Sequence, residues 1–167
     1  MKKIILLLIV AALLLSTNRV HAQSDWVNYK IDSKLSVKLP NQPASANGAT
    51  TVQTKDSLTC FVMVINMMTA GKIDSATLAN LAPTDDFTNG IKAGMLGKLP
   101  GATLGDVKTG KWNGYYCYNI DGYTSKKLRL YFYIIIIGDD VYCLGTIFPE
   151  KLGAKSKDDF FNSLALN

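Results

Sequence analysis

The chain has 167 residues, with 18 basic and 13 acidic side chains, one histidine and three cysteines. Its formal charge of +5 overstates the surface, because Lys2, Lys3 and Arg19 fall in a leader-like stretch and the rest balances 15 basic against 13 acidic residues. So neutral a surface, with Arg129 its last arginine, excludes the concentrated basic face and the phosphate clamps of a nucleic-acid binder.

The leader is the first predicted element. Lys2 and Lys3 precede an unbroken apolar run of twelve residues, Ile4 to Leu15, and Val20-His21-Ala22 then offers compact residues at the −3 and −1 positions. This is the layout of a secretory signal peptide cut after Ala22, and the run is too short for a spanning helix. An uncleaved anchor is the alternative, and Arg19 beyond the apolar run leans that way. Gln23 after the cut, in place of a cysteine, argues against a lipoprotein. Residues 1–22 are thus expected to leave and residues 23–167 to form one exported domain, periplasmic or secreted, long enough for a core of its own. His21, the sole imidazole, leaves with the leader.

Trp26 to Ile31 and Lys34 to Leu39 flank Asp32-Ser33, and Leu35, Val37 and Leu39 alternate with polar neighbours. That period predicts a hairpin with one wet face, ended by Pro40. Residues 44–48 read as loop. Thr50 to Lys55 and Leu58 to Met67 predict a second hairpin whose latter arm, LTCFVMVINM, is apolar on both faces. Met63, Met67 and Met68 read as core filler rather than a ligand groove.

The period then changes. Asp74 to Ala82 predicts a short helix stopped by Pro83. Thr84 is a fitting N-cap for a second helix, with Phe87, Ile91 and Met95 recurring every four residues. Gly90 and Gly94 weaken it by up to about 1 kcal/mol each, so docking has to hold it. Four strands follow as an antiparallel meander: Ala102 to Lys111, Tyr115 to Tyr123, Lys127 to Ile137 and Val141 to Phe148. Ser156 to Leu166 predicts a C-terminal helix capped by Ser156. The fold class is α+β: two N-terminal hairpins plus a four-strand meander in antiparallel sheet, packed by a central and a C-terminal helix.

Chemistry is scarce in this pattern. Without His21, histidine-dependent serine and cysteine catalysis drop out. No C-x-x-C or D-x-D-x-D-G run marks a zinc or calcium site, and no glycine motif cradles phosphate. No cofactor or metal is expected. Cys60, Cys117 and Cys143 each sit in an apolar strand-like run, as buried free thiols would; one internal bridge, an intermolecular bridge or a reactive thiol are the alternatives. Glu150 and the Asp-Asp pairs at 85–86, 139–140 and 158–159 suit turns and helix N-termini.

The aromatic cluster is the remaining candidate. Seven of the eight tyrosines lie between Tyr115 and Tyr142. Half-buried strands favour tyrosine for structural reasons alone. The functional reading places Tyr131 and Tyr133 beside Lys127 and Arg129 on a partly uncovered sheet face, a seat for a protein partner, a sugar or an anionic amphiphile.

The stretches LSVKLPNQP, GYYCYNIDGY, DDVYCLGTIFP and DDFFNSL, in this order of elements, resemble the PsbP-like group of small α+β domains. The resemblance covers nearly all of residues 23–167. It implies a non-enzymatic assembly or binding module, exported or membrane-associated, with no active site to carry over; a photosystem role does not follow from it. The expectation is therefore a non-catalytic binding module of the cell envelope, its partner an envelope protein or a small amphipathic ligand, with no nucleic acid and no membrane span after the cut. A carrier of an apolar or amphipathic ligand, with its cavity between the helix at 84–97 and the sheet, is the alternative. An enzyme using aspartate, lysine, tyrosine or thiolate comes third.

Overall fold

A computed structural model describes residues 26–46 and 49–167; the expected leader and the cut expected after Ala22 lie outside them. Strands β1 (Val27–Lys30) and β2 (Leu35–Leu39) form the first hairpin, with Val27 opposite Leu39. Its turn is made by Asp32, whose Oδ1 accepts the backbone N–H groups of Lys34 at 2.7 Å and Leu35 at 3.0 Å. The alternation works as expected, because Leu35, Val37 and Leu39 are all buried.

The hairpin does not join the main sheet. It forms a small sheet of its own with β11 (Ala165–Leu166), which pairs antiparallel with β2. The large antiparallel sheet consists of β3 (Ala44–Ala46), β4 (Ala49–Gln53), β5 (Thr59–Asn66), β6 (Thr103–Leu104), β7 (Lys108–Trp112), β8 (Tyr115–Tyr123), β9 (Arg129–Ile137) and β10 (Asp140–Phe148). Its spatial order is β3-β4-β5-β10-β9-β8-β6, with β7 also on β8.

Helices α1 (Met67–Gly71), α2 (Ser75–Leu81) and α3 (Asp85–Lys98) follow β5, and α4 (Lys155–Asn162) follows β10. They cover opposite faces. Leu78 and Ala82 from the α2 segment meet Tyr118, Ile120, Leu130, Phe132, Ile134 and Ile136 on one face. Phe160 of α4, with Leu35, Val37 and Leu39, packs on Val62, Cys117, Ile135, Tyr142 and Leu144 on the other. Strand β9 is thereby buried on both sides from Ile134 to Ile137, while Tyr131 and Tyr133 stay half-buried. No described helix is long and apolar enough to cross a membrane.

Five local expectations are corrected. Residues 44–46 pair with β4 instead of forming loop. Asn66 ends β5 by capping α1, its Oδ1 accepting the Thr69 N–H at 2.9 Å, so Met67 opens a helix and Met68 is 42% exposed, not core. The 102–111 strand is broken in two around residues 105–107: Gly105 donates to the Asp121 carbonyl at 2.8 Å before β7 resumes against β8. Lys127 precedes β9, in a turn with φ +61°. The last helix ends at Asn162, and Ala165 and Leu166 satisfy their backbone groups by pairing with the open edge of β2 instead; it starts after Ala154, without a side-chain cap from Ser156.

Candidate functional site

Register builds the site. Lys108 lies opposite Asn119, Asn119 opposite Tyr133, and Asp121 opposite Tyr131. Side chains one step apart across a sheet share a face, so polar β8 positions and aromatic β9 positions form one surface. Helix α4 lies over part of it. Between them run two adjoining hollows of about 260 and 370 Å³. The first is lined by Lys108, Asn119, Asp121 and Tyr131, the second by Trp112, Tyr133, Asp158 and Asn162; Asn119, Lys157 and Phe161 line both.

Tyr131 stacks on Phe148 at 5.8 Å between centroids with a 9° interplanar angle, and Tyr133 meets Phe161 edge-on at 6.0 Å. The Lys157 ammonium sits 4.6 Å over the Tyr131 ring while pairing with Asp158 at 2.6 Å. Burial, with the Cys117 thiol alongside, pushes the Tyr133 phenol pKa up and keeps it neutral. Among the described residues, the side chains of Lys108, Asn119 and Asp121 have no hydrogen-bond or charge partner in the protein.

Of the four residues singled out in the sequence, Tyr131 and Tyr133 line the groove. Arg129 stands at its end, with Nη1 donating to the Tyr123 hydroxyl at 2.5 Å and Nε 4.0 Å from the Glu150 Oε1; its guanidinium is 5.5 Å from the Tyr131 ring. Lys127 is exposed in its turn, and Lys157 supplies the cation over Tyr131 instead. Lys108, Trp112, Asn119, Asp121 and Phe161 were missed. The alternation in YYCYNIDGY carried the signal for Asn119 and Asp121, since both interrupt the face of Tyr115 and Cys117.

A separate hollow of about 410 Å³ lies on the opposite face, lined mainly by Ile65, Met67, Leu81, Phe87, Ile91 and Val141. Elsewhere the chemistry is muted. Burial pushes the Cys60 and Cys143 thiols up to about 12, the opposite of an activated nucleophile. All three cysteines are free. Among the described residues no group of three or more His, Cys, Asp or Glu side chains is placed to hold a metal.

The fold is similar to the solution structure of cyanobacterial PsbP (CyanoP) from Synechocystis sp. PCC 6803, with a TM-score of 0.52 and 10% identity over 91% of this chain and 99% of that one. A crystal structure from Bacteroides thetaiotaomicron VPI-5482 aligns at TM-score 0.38 and 12% identity, over 80% of this chain and 45% of that one. No protein-family model matches the sequence, and no curated protein sequence matches it. The fold is that of a PsbP-like domain, as the sequence patterns led one to expect.

Proposed function

We propose that the chain is a non-catalytic binding or assembly module, exported to the cell envelope after cleavage behind Ala22, and that the groove between α4 and strands β7–β9 is its binding face. One observation carries this reading: among the described residues Lys108, Asn119 and Asp121 stand unpartnered in a single groove beside half-buried aromatic rings. Folding gains nothing from keeping such groups together and unpaired, whereas recognition needs a few placed polar groups on an apolar ground. The scarcity of activated nucleophiles and proton carriers supports a module over an enzyme, as does the PsbP-like fold.

Co-sedimentation of the full chain with native envelope fractions tests the reading. Tyr131 and Tyr133 pack against the core, so their loss would confound binding with folding. Lys108 and Asn119 are exposed. Wild type is expected to pellet with envelopes, and Lys108→Glu combined with Asn119→Ala to stay in the supernatant with unchanged thermal unfolding. Equal sedimentation of the two proteins rejects the groove.

The carrier reading is favoured by the apolar hollow under α3. Native mass spectrometry separates the two: a co-purified small apolar molecule, lost on narrowing that hollow with Gly90→Leu, makes the chain a carrier.

A further inference from the structure

The binding groove is double. Its hollows share Asn119, Lys157 and Phe161, so they are successive compartments of one channel. Together they fall within the roughly 300–1,000 Å³ of small-ligand sites. The charges balance over the groove as a whole: Lys108 and Asp121 line the first compartment, and Lys157, which lines both, pairs with Asp158 of the second at 2.6 Å.

This composition selects among ligand classes. A purely apolar ligand would strip water from the Lys108 ammonium, the Asn119 amide and the Asp121 carboxylate and give nothing back, which disfavours it, the two charged groups most of all. An anion would meet Asp121 and Asp158, and a cation would meet Lys108 and Lys157. A peptide bound by strand addition uses backbone N–H and C=O groups, but the polar groups named here are all side chains. The remaining class is neutral, carries groups that donate and accept at once, and presents apolar faces in a repeating order. Sugar hydroxyls donate to Asp121 and the Asn119 carbonyl while accepting from Lys108 and the Asn119 NH₂. The C–H faces of sugar rings suit the apolar surfaces of Trp112, Tyr133 and Phe161.

We infer that the groove holds a neutral linear oligosaccharide, with adjacent sugar units in its two compartments. The inference rests on the groove being the binding face. It is tested by titrating the full chain with cellotetraose, maltotetraose, tetra-N-acetylchitotetraose and, as a control, tetra-alanine. The readouts are the NMR resonances of the Asn119 side-chain amide and the Trp112 indole N–H. At least one tetrasaccharide is expected to shift both resonances saturably, and Asn119→Ala, at an exposed position, to weaken that binding about tenfold with thermal unfolding unchanged. The inference is overturned if no tetrasaccharide shifts them, if Asn119→Ala binds as wild type does, or if tetra-alanine alone produces the shifts. Envelope sedimentation that still depends on Lys108 and Asn119, without any sugar response, removes the oligosaccharide and leaves the binding face standing. Loss of both removes both.

Discussion

On one face of the large sheet, Leu35, Leu39, Ile135, Leu144 and Phe160 are wholly screened from water. On the other, α3 brings fourteen residues and none of them is buried, while Leu81 and Leu96 remain 37% and 38% exposed. The contrast has a chemical origin. The first face is closed by a hairpin and a helix that are also tied down by polar bonds: the Tyr142 hydroxyl donates to Asp32 at 2.6 Å, Lys34 pairs with Asp140 at 2.6 Å, and the Asn167 N–H donates to the Lys34 carbonyl at 2.9 Å. The second is closed tightly by the α2 segment, where Leu78 and Ala82 are wholly buried and the Tyr118 hydroxyl donates to the Ala82 carbonyl at 2.6 Å, but beyond it by α3, along which Gly90, Gly94 and Gly97 face open space. The stripe that α3 lays on the sheet, Phe87, Ile91 and Met95, is only partly buried, so its docking is shallow. The sheet is thus anchored on one side and, under α3, loosely covered on the other, with the apolar hollow at that loose part.

The sharpest way to break this comparison is a pair of truncations of like size. Phe160→Ala, on the closed face, is expected to cost about 3–5 kcal/mol of unfolding free energy in urea titrations. Phe87→Ala in α3 removes a half-buried ring, and its expected cost is about 1–2 kcal/mol. Similar losses from the two would mean that the helix side is no looser than the other.

The polar ties sharpen it next. Burial pushes the Asp32 carboxyl up, but the Tyr142 hydroxyl and the backbone N–H groups of Lys34 and Leu35 outweigh it and hold the pKa below the ordinary carboxylate value. A group whose pKa falls on folding stabilises fully above its unfolded value, about 3.9, and that contribution disappears as pH drops through the lower folded value. Asp32→Ala should therefore destabilise by about 1–3 kcal/mol at neutral pH, with the gap from wild type steady down to about pH 5 and closing in stronger acid. A gap unchanged at pH 3 and below would show that Asp32 acts through backbone geometry and not through its charge.

What the sequence disclosed follows the same division between local and distant causes. The first hairpin was legible because its alternation and its Asp32 turn lie within fifteen contiguous residues or so. The start of α3 was legible because Thr84 caps it within one turn, its hydroxyl accepting the Phe87 N–H at 3.2 Å. Strand β11 was not, since Ala165 becomes strand only where β2, over a hundred residues earlier, leaves an edge unpaired. Helix α1 was hidden because Met67 and Met68 prolong an apolar run without breaking its period. The site divides likewise. Tyr131 and Tyr133 announced themselves by alternation within β9, but Lys157, Phe161 and Trp112 reach the groove from separate elements, and one chain's local pattern holds no record of that meeting.

The dry core of the closed face holds an orphaned polar atom, and it yields the smallest effect. Thr146 is fully buried opposite Tyr131 and Cys60, and its hydroxyl finds no hydrogen-bond partner among the described residues. A hydroxyl stripped of water without replacement costs about 1–3 kcal/mol, whereas a methyl in the same volume costs nothing of the kind and gains from burial. Thr146→Val keeps the branching that suits a strand and removes the orphaned oxygen. It is expected to raise the unfolding free energy by about 1 kcal/mol, read as a higher urea midpoint at unchanged slope. A lowered midpoint would mean that the hydroxyl is satisfied in solution, by a water or by a carbonyl within reach, and that this face is less dry than its leucines indicate.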